Sequence, residues 1–201
     1  MPFRMLNERS KPHHSERDFS TRARIARYSH VLTKKEAWFE AANELTEAMS
    51  LLEPRVEHHW RCLRDQLEDP NSEIEPEYSL INVHMMLAGF AIENLCKGHL
   101  VDQLGPDELE NVKVGELPES LKGNHGILNF VEQTKMRLSD ADEYLLKRIG
   151  EAVVWRGRYP IPTSHRKSRP FAQIGSDLAR ITTLVQKLRR HVGAKNSYRI
   201  E

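Results

Sequence analysis

Two short patches carry the residues most suited to chemistry. One is Asn124-His125-Gly126-Ile127-Leu128. The other, about thirty residues on, is Trp155-Arg156-Gly157-Arg158-Tyr159-Pro160. The second sits where the charge of the chain reverses. From Lys34 to Trp155 there are 12 Lys/Arg against 24 Asp/Glu, a net of −12. From Arg156 to Glu201 there are 11 Lys/Arg against 2 Asp/Glu, a net of +9. A chain of formal net charge +1 therefore conceals a concentrated basic segment. That segment opens on an arginine corner and contains His165, Arg166 and Lys167. Clustered cations of this kind point to a polyanion as partner, with RNA the first candidate. The same charge could instead neutralise the acidic body, within one subunit or across a dimer.

The elements that must position these residues read as helices. Thr33 with Glu36 fits a capping box. Apolar residues then recur at Trp38, Ala42, Leu45, Met49, Leu52, Val56, Trp60, Leu63 and Leu67, close to a heptad seam. The seam runs across Pro54, which predicts one long helix kinked there, ended by Asp69-Pro70-Asn71-Ser72. A break at Glu53-Pro54 is the alternative. A second helix is expected from near Pro76 to Gly105-Pro106. Its centre, Met85 to Ile92, is apolar on all sides, as in the buried middle of a bundle. His84, Glu93, Asn94, Lys97 and His99 interrupt it. Residues 105 to 123 read as a long loop. Further helices are expected over His125 to Leu138, from a Ser139–Asp142 cap to Trp155, and from Leu178 to Val192, ended by Gly193. Residues 1 to 33, net +4, read as a flexible basic arm with a short helix over 22 to 32. The bundle spans 34 to 192, and 193 to 201 form a short tail. The sum is an all-α, antiparallel, four- to five-helix up-and-down bundle.

Composition limits the remaining choices. At 201 residues, 39% apolar and 29% charged, the chain suits one helical domain with tails. Cys62 and Cys96 form no CxxC, which predicts a reduced, cytoplasmic protein. No apolar run reaches membrane-spanning length, and Met1-Pro2-Phe3-Arg4 lacks a signal-peptide core. His58 and His59 are adjacent and face apart. No HExxH, Gly-rich phosphate loop or nucleophile elbow occurs, so neither a metal nor a cofactor is expected.

Helix order and motifs together resemble the HEPN superfamily of helical-bundle domains. Ala91-Ile92-Glu93-Asn94-Leu95-Cys96-Lys97-Gly98-His99-Leu100 is similar to that family's A-x-E-x-x-x-K-x-x-L helix. His125-Gly126-Ile127-Leu128 is similar to its H-D-L helix start, with Gly126 in place of the acidic residue. Arg158-Tyr159-Pro160 is similar to its R-Y-P ending. The resemblance covers roughly residues 34 to 192. It implies a metal-independent endoribonuclease, a hydrolase of stress, defence or toxin–antitoxin systems, often a homodimer with a shared site. Such enzymes use an Arg and a His a few residues apart. Here Arg158 and His165 have six residues between them, two of them prolines. Arg158 would hold the scissile phosphate and His165 would move a proton to or from the ribose 2′-hydroxyl. Arg156, Tyr159, Arg166 and Lys167 would add substrate affinity. Glu93 and Lys97 would order the loop, and with His125 they count among the substrate-binding residues. Other branches keep the R-Y-P corner as binding modules or as partners of nucleotidyltransferases. The alternative is thus a non-catalytic nucleotide- or protein-binding assembly module, with an antitoxin-type partner also implied. Each polar residue also has a plain structural role: Glu93–Lys97 is a favourable i, i+4 pair, and His125 is a helix anchor.

Overall fold

A computed structural model describes residues 14–69, 79–123, 126–158 and 175–194, with only the backbone for 14–19. Among these residues there are seven α-helices and no strand. They are α1 (His14–Leu32), α2 (Lys35–Glu68), α3 (Ile81–Val101), α4 (Pro106–Lys113), α5 (Ile127–Gln133), α6 (Asp140–Glu151) and α7 (Asp177–His191). A 3-10 turn covers Glu119–Leu121, and a π turn, Ala152–Arg156, prolongs α6.

The apolar α3 is the central element and packs on α2, α5, α6, α7 and the π turn. Met85, Ala88, Ala91, Ile92 and Leu95 are fully buried, as an all-round apolar helix requires. Side-chain partners fix the directions. The start of α2 meets the end of α3, where Phe39 closes on Gly98. The middle of α2 meets the start of α3, where Glu53 lies near His84. Likewise Gly89 faces Ile149 and Val153, while the earlier Met86 faces the later Gly157. On α7, Thr182 donates to Glu53 and Arg189 to Asn43. Lys187 reaches Asp142 and Asp177 reaches Arg148. Helices α2, α3, α6 and α7 therefore alternate up and down around one core.

α2 passes through Pro54 as one helix of 34 residues. Its seam is buried at Ala42, Met49 and Val56, but Leu67 is exposed. The expected Thr33–Glu36 box does not form. Thr33 Oγ1 instead donates back to the Ser29 carbonyl at 2.9 Å, and Lys34 is the N-cap. The Ser139–Asp142 box does form: Asp142 N donates to Ser139 Oγ at 3.2 Å and Ser139 N to Asp142 Oδ2 at 3.1 Å. α5 stops at Gln133, shorter than expected, because Lys135 turns into positive φ at +60°. The expected start near Pro76 lies outside the described residues; α3 is helical from Ile81.

Two segments are more helical than the sequence predicts. The stretch read as a loop, 105 to 123, holds α4 and the 3-10 turn. Pro106 begins a helix there instead of only ending one, since its missing N–H is harmless in the first turn. The Glu108 carboxylate accepts from Gly105 N at 3.3 Å and from Ser120 Oγ at 2.5 Å. The Ser120 hydroxyl is the main cause holding that carboxyl below its usual range. The basic stretch before Thr33 is helical from His14 and docks on α4 and α2. Ser29 Oγ donates to the Val112 carbonyl at 2.5 Å, Trp38 Nε1 to the Leu32 carbonyl at 2.9 Å, and Leu32 is buried.

Candidate nucleic-acid interface

The arginine corner begins with a change of helical pitch. Leu145, Ile149 and Ala152 keep the α-period inward, and then the backbone widens into the π turn. Gly157 N donates to the Ala152 carbonyl at 2.9 Å, an i to i−5 bond. This places Ala152, Val153 and Trp155 all in the core. Gly157 is required by contact: a Cβ there would lie 2.6 Å from Met86 Cβ and 3.0 Å from the Ala152 carbonyl.

The two arginines of the corner differ in environment. Arg156 lies over the Trp155 ring, 4.3 Å from its centroid, and its Nε donates to Glu151 Oε2 at 3.0 Å. It is mostly buried and its charge is balanced locally. Arg158 is exposed, and its Nη2 donates to the Val154 carbonyl at 2.7 Å. That bond directs the guanidinium back along the π turn. His125, Tyr159, His165, Arg166 and Lys167 lie outside the described residues.

Glu93 and Lys97 form a buried pair further along α3. Lys97 Nζ donates to Glu93 Oε1 at 2.6 Å, and the side chains are 11% and 8% exposed for Lys97 and Glu93. The ammonium also lies 5.6 Å from the Trp38 ring centroid and 5.2 Å from that of Phe130. These aromatic faces favour the cation where water is scarce. The pair thus sits among α2, α3 and α5, and its described contacts are not those of Arg156 and Arg158.

The fold claims several cations of the basic segment. Lys187 Nζ bonds Asp142 Oδ2 at 2.9 Å, and Arg180 Nη2 donates to the Ala141 carbonyl at 3.0 Å. Burial works to raise the Asp142 carboxyl, but the bonds from Lys187 and Ser139 outweigh it and hold the group below its usual range. Arg189, counted from the sequence among the available cations, is buried. It donates to Asn43 Oδ1 and, at 3.3 Å, to Thr46 Oγ1. Burial lowers its pKa. Arg190, beside it, is exposed.

Three polar features belong to no motif, although His84 and His99 stand out in the sequence as polar interruptions of the apolar α3. Arg148 and Asp177 make a buried ion pair between α6 and α7, with Arg148 also over the Tyr144 ring at 5.1 Å. His84 is fully buried, neither ring nitrogen has a hydrogen-bond partner among the described residues, and burial lowers its pKa to about 4. His191 Nε2 lies 2.8 Å from the Thr134 carbonyl, and its ring stands 6.3 Å from that of His99. Burial, then the neighbouring His191, lowers the pKa of His99. None of these has a motif; only the pairing of distant helices creates them. Among the described residues no helix is long and apolar enough to cross a membrane. No protein-family model, curated protein or solved structure matches the chain.

Proposed function

We propose that the chain is a HEPN-like helical bundle that binds RNA through the basic segment beginning at Arg156. The observation that carries this reading is the position of Arg158. It is exposed, donates to the Val154 carbonyl of the π turn, and stands at the head of a segment of net charge +9. A guanidinium in that position suits bidentate contact with a phosphate. The antiparallel packing of α2, α3, α6 and α7, and the Glu93–Lys97 pair within α3, support the resemblance.

The activity that follows is metal-independent RNA cleavage, with two subunits meeting at the site. His165 takes the proton of a ribose 2′-hydroxyl, and the freed oxygen attacks the adjacent phosphorus. The phosphorus–O5′ bond breaks, and the leaving oxygen takes up a proton. A 2′,3′-cyclic phosphate and a 5′-hydroxyl result. Arg158 offsets charge on the phosphorane-like transition state. Glu93 and Lys97 act at a distance, by fixing α3 against α2 and α5.

A specific observation favours the non-catalytic module as second reading. Glu151 balances Arg156 and Asp142 balances Lys187, so part of the basic charge serves the fold itself. One assay separates the two. A mixed RNA pool is incubated in EDTA with the wild type, Arg158→Ala and His165→Ala. Cleavage by the wild type alone establishes the nuclease. Salt-sensitive binding without cleavage establishes the module. Neither binding nor cleavage rejects RNA as the partner.

A further inference from the structure

Outside the arginine corner, a cavity lies between α1, the start of α2 and the turn after α4. Its volume is about 430 Å³. Tyr28, Val31, Leu32, Trp38 and Leu117 form its walls, with Arg24 and Arg27 at its edge. Residues 24, 27, 28 and 31 follow the i, i+3, i+4, i+7 spacing, so one face of α1 supplies both the cations and the apolar wall. A second cavity of about 300 Å³ shares Arg24 and Tyr28 and adds Thr21, Ile25 and Gly115.

Three observations define what would fit. The walls are held from behind: the Trp38 indole donates to the Leu32 carbonyl at 2.9 Å, which leaves it no donor for a ligand. The wall therefore offers apolar contact and little hydrogen bonding. Tyr28 and Val31 are 40% and 48% exposed, so the apolar wall is reachable from solvent. Among the described residues, Arg24 and Arg27 pair with no carboxylate; Arg24 Nη2 has only Thr21 Oγ1, at 3.5 Å. The volume lies in the range of small-molecule sites, and the two guanidiniums give it one charged end.

We propose that this cavity binds an amphiphilic organic anion, with its carboxylate or phosphate head on Arg24 and Arg27. Its apolar chain would lie along Tyr28, Val31, Leu32, Trp38 and Leu117. The site belongs to α1 and stands apart from Arg158, so it is independent of the RNA reading.

The test is calorimetric titration of the full chain with decanoate, decanol and decyltrimethylammonium, each below its micelle concentration. Decanoate is expected to bind one to one, decanol more weakly, and the cation not at all. Arg24→Gln/Arg27→Gln should weaken decanoate on the order of tenfold or more. The same variant should leave decanol unchanged, which also reports that the wall is intact. Val31→Trp, at an exposed position, should block both. Equal binding of all three amphiphiles, or of none, overturns the proposal. So does binding only to anionic phospholipid vesicles, which would make α1 a membrane-surface helix. A dimer in light scattering that Val31→Asp dissociates, without decanoate binding, would assign the face to a second copy and overturn it too.

Discussion

His84 sets a pH dependence by itself. Its ring is fully buried, and Glu53 Oε1, at 3.9 Å from Nε2, is beyond hydrogen-bond reach. Burial therefore decides its protonation, and its pKa falls from 6.5 to about 4. The folded state takes up the proton less readily than the unfolded chain. Stability from the neutral ring is whole above pH 6.5 and is lost as pH falls towards about 4. Between pH 7.5 and 5 the loss should be roughly 2 kcal/mol in urea unfolding. His84→Leu should flatten that part of the profile; an unchanged profile would show that another group governs it. The Glu93–Lys97 pair behaves differently, because each charge answers the other. Lys97→Met leaves the Glu93 carboxylate buried without its ammonium and should cost about 3 kcal/mol. Glu93→Gln/Lys97→Met should recover more than half of that. If the double variant is as unstable as the single one, the pair is not the source of the loss.

Contacts between helices decide which parts of the fold a sequence reveals. The packing of α3 against α6 and the π turn depends on Gly89. A Cβ there would lie 2.2 Å from Val153 Cγ2 and 3.0 Å from Ile149 Cγ2. Alanine would gain up to about 1 kcal/mol in helix propensity, but overpacking costs about 1–3 kcal/mol. Gly89→Ala should therefore destabilise, and Val153→Ala in the same chain should restore part of the loss in thermal melts. Ser139→Ala should cost about 1 kcal/mol through the cap of α6, with little effect elsewhere. That cap was legible because both its partners are local. So were α7, bounded by Gly193 at φ +71°, and the apolar α3. α4 was not, since its N-cap is Gly105 and Glu108 completes the turn with no Ser or Thr to signal it. The π turn has no periodic signature at all. Within the candidate site, the Glu93–Lys97 pair could be read from spacing. The division of labour between Arg156 and Arg158 could not, because it depends on where Trp155 and Glu151 stand after the pitch changes.

The charge of the whole molecule is where the two functional readings diverge. A basic segment of net +9 beside a body of net −12 invites internal neutralisation as much as an external polyanion. The folded chain divides the task by position. Lys187 and Arg156 meet carboxylates, and Arg189 is buried on Asn43 and Thr46, so these cations hold the helices together. Arg158 and Arg190 are exposed. Salt dependence can tell the groups apart, since each phosphate contact with single-stranded RNA contributes about −0.7 to the slope of log K against log salt. Arg158→Ala should weaken RNA binding and make that slope shallower by about 0.7. Lys187→Gln should do the reverse: a stability loss below about 1 kcal/mol for a partly exposed pair, and no change in slope. Anisotropy titrations from 50 to 200 mM salt would measure both. A Lys187→Gln slope that shifts as much as that of Arg158→Ala would mean that the segment acts as a diffuse field, and Arg158 would lose its special place.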